Sequence, residues 1–290
     1  MDYFFNVLIL ICIYVILSTS LDIVFSNAGI FSVSHAAFFG TGALIYAILS
    51  KAGISNYLLI ISIVVIIASA IGAIIAACTL RIRGDYFIIA SYAFQMIAFD
   101  IFYNTVRFSS GASVIYAIPK PIIFGIVFDT NTKYFGLALI VMLVCLYICW
   151  RLSKSQFGTV LKAVKDDEMA IQATGRNPLI FKIKALVISG ILASIAGMIY
   201  SGYLTIFVPN SFTIDLSTAI IAMVIFGGSG NVLGASLGAT VLVIIPQAIS
   251  FLQLPATVVG PLQRLLYGLI LVLFMRIRPE GLLGKKKLIV

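Results

Sequence analysis

The sequence predicts an all-α fold, a polytopic membrane bundle of about 8–9 transmembrane or partly re-entrant helices, and three observations predict it. Hydrophobic residues make up 62% of the chain and charged residues only 10%, whereas soluble domains carry about a quarter charged. Apolar runs of about 20 residues recur along the chain, the length an α-helix needs to cross a hydrocarbon core of about 30 Å. The strict alternation that marks a membrane barrel is missing.

Taken in order, the runs predict spans near residues 4–25, 29–50, 56–79, 86–105, 134–150, 183–205, 213–228, 231–250 and 260–275. The first follows Met1 and Asp2 without a basic segment or a clear small-residue cleavage site, so it reads as a retained span and not as a cleaved signal. Gly29 to Gly42 and Ser211 to Gly238 are rich in Gly, Ser and Asn. Half-helices or re-entrant pieces are expected there, tolerated where protein buries the loose backbone groups.

Basic residues flank the spans instead of forming a soluble basic domain, so the net charge of +9 does not point to nucleic acid. Arg81 and Arg83, then Arg151 to Lys184, then Arg276 to Lys287 mark three segments as cytoplasmic. The spans between them fit that assignment, which leaves residues 106–133, with their turn-forming Ser, Gly and Pro, outside. The N-terminus is then expected outside as well. Cys12, Cys78, Cys145 and Cys149 all lie in apolar runs and read as buried, reduced packing residues. One histidine in the chain excludes a His-based zinc cluster within a single copy.

The longest charged passage, residues 157–186, interrupts this pattern. Phe157, Val160, Leu161, Val164 and Ile171 keep helical spacing, while Lys162, Lys165, Asp166, Asp167 and Glu168 fill the other side. Glu168 falls where the apolar face should continue, so two short helices are expected, the second capped by Asp166 or Asp167 and stopped at Gly175. Asn177 and Pro178 suit the cap and first turn of the next helix. A solvated linker is the plainer alternative.

Ionisable and polar groups inside apolar spans are costly, and by default they suggest function. His35, Gln95 and Asp100 are the candidates for a translocation pathway, with Asp22 and Asp215 weaker because they lie nearer span ends. The plain alternatives are a helix–helix hydrogen bond for His35, a pair with Arg107 for Asp100, and pairs of Asp85 with Arg81 and Arg83. Gly230, Gly234 and Gly238 repeat every fourth residue and predict a face of close helix packing. "GGSG" within that passage lacks the lysine of a phosphate loop, so no ATP site is visible in this chain. No nucleophile, base and orienting group can be assembled either, which argues against an enzyme.

The passage "AVKDDEMAIQATGRNPLIFKIKALVISGILASIAGMIY" resembles the cytoplasmic loop of ABC importer permeases, in particular the LivM-type branched-chain amino acid permeases. "FSVSHAAFFGTGAL", "LRIRGDYFIIASYAFQMI", "VIFGGSGNVLGASLGA" and "RPEGLLG" are similar to further motifs of that family in the same order, with Ser34 where glycine is usual; residues 106–133 and the first span match least.

The resemblance implies a single permease domain over residues 1–290, with a cytoplasmic coupling loop at 151–184 that docks on a separate ATPase. That ATPase uses the ATP, and no cofactor is bound by this chain. Lys165, Asp166, Asp167, Glu168, Ala170, Ala173 and Gly175 are the expected coupling residues. The implied partners are ABC ATPase subunits, a second related permease or a second copy, an extracytoplasmic solute-binding protein and the bilayer of a bacterial or archaeal cytoplasmic membrane. Branched-chain or other amino acids are the first expected cargo. Urea, short amides or nucleosides are the alternatives within the broad family, and an ion-coupled secondary transporter is the alternative outside it, although few acids and no sequence repeat favour it. A membrane scaffold without transport would need neither polar residues at depth nor a docking loop.

Overall fold

The computed structural model describes residues 2–54, 56–80, 85–110, 113–123, 126–250, 262, 265–269, 272–273, 276 and 281–283. The chain forms α1 (Asp2–Asp22), which continues as a π-helical turn (Ile23–Asn27), then α2 (His35–Lys51), α3 (Tyr57–Thr79) and α4 (Asp85–Ser110). A small hairpin, β1 (Ile122–Ile123) and β2 (Ile126–Val127), pairs Ile122 with Val127 and Ile123 with Ile126. There follow α5 (Asn131–Lys154), α6 (Gln156–Asp166), α7 (Glu168–Ala173), α8 (Pro178–Leu204), a short 3-10 turn (Pro209–Ser211), α9 (Ile214–Gly227) and α10 (Val232–Ser250). The last predicted span, 260–275, lies largely outside the described residues, although 262, 265–269, 272 and 273 are helical.

Among the described residues, six helices are long and apolar enough to cross a membrane, with a shorter apolar stretch at Val232–Gln247. The membrane-bundle expectation holds. α8 is the central post: at 27 residues it is about 40 Å long, and it packs against α2, α3 and α1. α1 in turn packs against α5, α9 and α10.

Close packing in a membrane needs small residues where backbones meet, because the hydrophobic effect does not drive helices together in lipid. Gly42 and Gly197 meet this need between α2 and α8. A side-chain carbon on Gly42 would overlap the Ser194 carbonyl, and one on Gly197 the Phe39 carbonyl. The Ser194 hydroxyl donates across the same seam to the Phe38 carbonyl at 2.8 Å. Above the seam, Phe39, Phe102, Tyr200, Phe207 and Phe212 form an aromatic cluster with ring centroids 5.0 to 6.2 Å apart.

Several expectations change. The second span was placed from residue 29, but α2 begins at His35. Gly29 has a left-handed φ of +67, which no helix residue adopts, and lies against the Lys165 stem. The entry to α2 then finds partners on other helices: Val33, just before the helix, donates to Ser91 Oγ at 3.1 Å, and Ala36 in its first turn to Ser217 Oγ at 3.0 Å. α9 has only 14 residues, about 21 Å, and reaches spanning length together with the 3-10 turn before it, as Pro209–Gly227. α4 runs to Ser110, beyond the expected end at 105. Cys12, Cys145 and Cys149 are buried, but Cys78 is exposed on α3; the apolar run predicts residence in the membrane and does not say which side meets protein.

Tyr3 at the start of α1 contacts Gln247 near the end of α10, and the other end of α1 meets Ser153 and Lys165. The chain therefore starts at the end of the bundle opposite α6, as the charge pattern predicts.

Candidate coupling and translocation sites

Residues 155–182 form a helix–turn–helix built by local chemistry. Ser155 caps α6 by accepting from the Gly158 N–H at 3.3 Å. Leu161 and Val164 are buried, and Phe157 stacks on Phe181 of α8 with centroids 5.8 Å apart. Asp167 separates α6 from α7: its Oδ1 accepts from the Met169 and Ala170 N–H groups at 2.8 and 3.2 Å, which satisfies two of the orphan donors of α7. α7 ends in a left-handed glycine, Gly175 at φ +78, whose N–H donates to the Gln172 carbonyl while that of Arg176 reaches Ile171. Asn177 Oδ1 accepts from the Leu179 N–H at 3.0 Å, with Pro178 opening α8. The two-helix reading of this passage stands, and of the two caps it named, Asp167 is the one used.

The coupling residues divide into two sets. Asp166, Asp167, Ala170, Ala173 and Gly175 are exposed. Glu168 is half-buried, and Lys165, although exposed, also reaches back to the bundle. Glu168 forms an ion pair with Lys182 of α8, and the Lys165 ammonium donates to the Ser26 carbonyl at 2.9 Å. These contacts hold α6 and α7 to the bundle. Sequence reasoning passed over Met169, whose side chain is 77% exposed beside Ala170 and Ala173; an apolar side chain inside a charged cytoplasmic stretch was the available signal.

His35, Gln95 and Asp100 do not converge. His35 is buried at the start of α2, and its Nε2 lies 2.8 Å from Ser20 Oγ. The Ser20 hydroxyl also donates to the Leu17 carbonyl at 2.8 Å, which makes the imidazole the donor of the α1–α2 bond. Gln95 is buried, with Nε2 donating to the Phe212 carbonyl at 2.8 Å and Oε1 left without a partner. Asp100 is exposed on the opposite side of α4, in a groove of about 480 Å³ lined by Ile97, Ile101, Asn104, Thr105 and Phe108. Asp100 and Arg107 form no ion pair among the described residues.

Gly234 and Gly238 pack against α9, as expected: a side-chain carbon on Gly234 would lie 2.7 Å from the Gly227 carbonyl oxygen, and one on Gly238 would overlap Met223. Gly230 does not share that face. It precedes α10 in a turn at φ +87, and its N–H donates to Asp22 Oδ1 at 2.9 Å. Spacing by four suggested one helical stripe, but the helix starts only at Val232. Asp22, a weaker candidate by sequence, is 2% exposed and also accepts from the Ser26 hydroxyl. Leu282 and Leu283 donate to the last carbonyls of α9, Phe226 and Gly227, at 3.0 and 3.1 Å, so these two residues cover this same corner.

The polar seam around α2 yields a direct prediction. Ser217→Ala should lower the stability of the detergent-solubilised protein by about 1 kcal/mol, because the Ala36 N–H loses its acceptor while a small side chain is kept. Thermal unfolding followed by size-exclusion chromatography checks this.

A family model described as "branched-chain amino acid transport system / permease component" matches residues 3–275. The permease protein LivM of the high-affinity branched-chain amino acid transport system of Escherichia coli is 28% identical over 93% of this chain and 68% of that protein. A probable LivM permease of Methanocaldococcus jannaschii is 29% identical over 82% of this chain and 71% of its own length. The autoinducer 2 import permease LsrC of Yersinia pestis is 31% identical over 40% of this chain and 34% of its own. No solved structure matches the chain. A match over nearly the whole chain, on a helical bundle with a capped amphipathic helix–turn at one end, means that this chain belongs to the branched-chain amino acid transport permease family, as a multi-pass membrane protein.

Proposed function

We propose that this chain is the membrane subunit of an ABC importer in a bacterial or archaeal cytoplasmic membrane, moving branched-chain or other amino acids inward. A separate ATPase docks on residues 157–175 and supplies the energy, and an extracytoplasmic binding protein delivers the solute. The observation that carries this reading is the α6–α7 unit: a rigidly capped helix pair, fastened inward by Lys165 and Glu168, that leaves Met169, Ala170 and Ala173 outward. Small residues around one large apolar side chain suit a docking knob for a groove on another protein.

The exposed face of α4 supports a second permease subunit beside this one. The large side chains that α3 turns outward, Leu58, Leu59, Ile66 and Ile74, are apolar, as lipid requires. α4 exposes Asp100 and Asn104 within its membrane span. An acid facing hydrocarbon costs several kcal/mol, so this face is covered by protein or lines a watery passage between two permeases. Small polar solutes would cross there. The ion-coupled alternative is disfavoured because Asp22 and His35 are both held in fixed contacts between helices.

Purification from the native membrane with a tag tests the docking. The ATPase should copurify with the parent and with Asp166→Asn, and at least about tenfold less with Met169→Glu, which places a charge at the docking knob, a loss equivalent to about 1.4 kcal/mol. Equal recovery of the ATPase with the parent and with Met169→Glu would refute docking on this helix.

A further inference from the structure

We infer that Lys165, Ser26 and Asp22 form a link that carries movement of α6 to the α9–α10 turn, with Asp22 as its positioning residue. This inference rests on the coupling role proposed above for α6 and α7. Among the described residues, the main packing of α6 is against α5, α7, α8 and the π-helical turn, not against α9 or α10. The link closes that gap in two steps: the Lys165 ammonium donates to the Ser26 carbonyl at 2.9 Å, and Asp22 accepts from both the Ser26 hydroxyl and, at 2.9 Å, the Gly230 N–H. Residues far apart in the chain thus meet at one carboxylate.

Three features make this more than packing. Asp22 is the one acid buried among the described side chains, and a buried carboxylate is costly unless it is needed where it stands. The π-helical turn at Ile23–Asn27 is an uncommon backbone form that recurs at functional sites, and it places Ser26 between the two partners. Two left-handed glycines open the approach. At Gly29, φ +67, a side-chain carbon would lie 2.8 Å from Lys165 Cγ, and Gly230, φ +87, turns its N–H to the carboxylate. Asn27 adds a brace by donating to Ser153 Oγ at the end of α5 at 3.1 Å. Movement of α6 therefore reaches α8 by direct packing and through the Glu168–Lys182 pair of α7, and reaches the turn where α9 ends and α10 begins through Asp22.

The test uses proteoliposomes holding the complete importer, loaded with ATP. Uptake is read with radiolabelled leucine, or with urea, acetamide or adenosine if the parent carries one of those instead, alongside ATP hydrolysis. Lys165→Met should lower solute moved per ATP hydrolysed by about three- to tenfold, a ratio taken per ATP so that any change in ATPase binding cancels. Asp22→Ala should act in the same direction, and Asp22→Asn, which keeps an acceptor oxygen for Ser26 and Gly230, should restore most of the ratio. A merely structural role would lower protein yield and leave the ratio unchanged. Parent-like solute per ATP in both Lys165→Met and Asp22→Ala overturns the link alone. Absence of ATP-dependent uptake by the parent overturns the coupling reading and the link together.

Discussion

Gly197→Leu is expected to leave no folded protein in the membrane, the largest effect of any single substitution considered. Its added carbon would overlap the Phe39 carbonyl, which belongs to the backbone of α2 and cannot rotate away. Helices α2 and α8 would have to separate along the seam that also holds Gly42, Ser194 and Phe38. Insertions of one or two methylenes into packed interiors cost about 1–3 kcal/mol where side chains can adjust; here neither side can. Gly197→Ala should therefore still be strongly destabilising. Gly136 is the control, since a side-chain carbon there meets nothing within 4 Å, and Gly136→Ala should change stability by no more than about 1 kcal/mol, in the stabilising direction. Fluorescence-detected size exclusion of detergent extracts reads all of these, and a monodisperse peak for Gly197→Leu would refute the account of the seam.

The second large effect falls on transport and spares the fold. Gly175→Leu keeps the space, because nothing lies within 4 Å of the added carbon, but the left-handed φ of +78 costs a residue with a side chain about 1–2 kcal/mol. α7 has only six residues, and beside the Glu168–Lys182 pair it depends on the Asp167 cap and this glycine turn. Loss of one support should let the helix unwind or turn its outward face away, with ATP-driven uptake reduced by about tenfold or more. Asp167→Ala should act in the same direction through the two N–H groups it leaves without an acceptor, worth about 1 kcal/mol, while Asp167→Asn should be mild. Membrane yield should stay near that of the parent in all three. An unchanged uptake rate in Gly175→Leu would contradict the role given to α7.

The contrast between these two sites explains what the sequence could disclose. The α6–α7 unit was legible almost to the residue because its determinants are local: Asp167, Gly175, Asn177 and Pro178 act on backbone groups within three positions of themselves. The membrane class was equally legible, since lipid imposes long apolar helices on any chain that crosses it. Tertiary approach was not legible. Nothing near Gly42 announces that its partner is Ser194, and nothing near Gly29 announces that it lies against Lys165, 136 positions later. Asp22 looked marginal at the end of a span, yet the π-helical turn and the Gly230 turn bring it to a buried meeting point. Gln95 and Asp100 looked alike in one span, but five residues on a helix place them on different sides, one against Phe212 and one in an outer groove.

The central claim is that motion enters this chain from an ATPase and leaves as solute movement. The most direct measurement reconstitutes the permease with its ATPase and binding protein in liposomes and follows radiolabelled leucine, with urea, acetamide and adenosine in parallel, while ionophores hold all ion gradients at zero. The account predicts uptake of at least one of these solutes that starts on addition of ATP, stops when ATP is exhausted, and fails in Gly175→Leu. Uptake that proceeds without ATP when a sodium or proton gradient is imposed would contradict it.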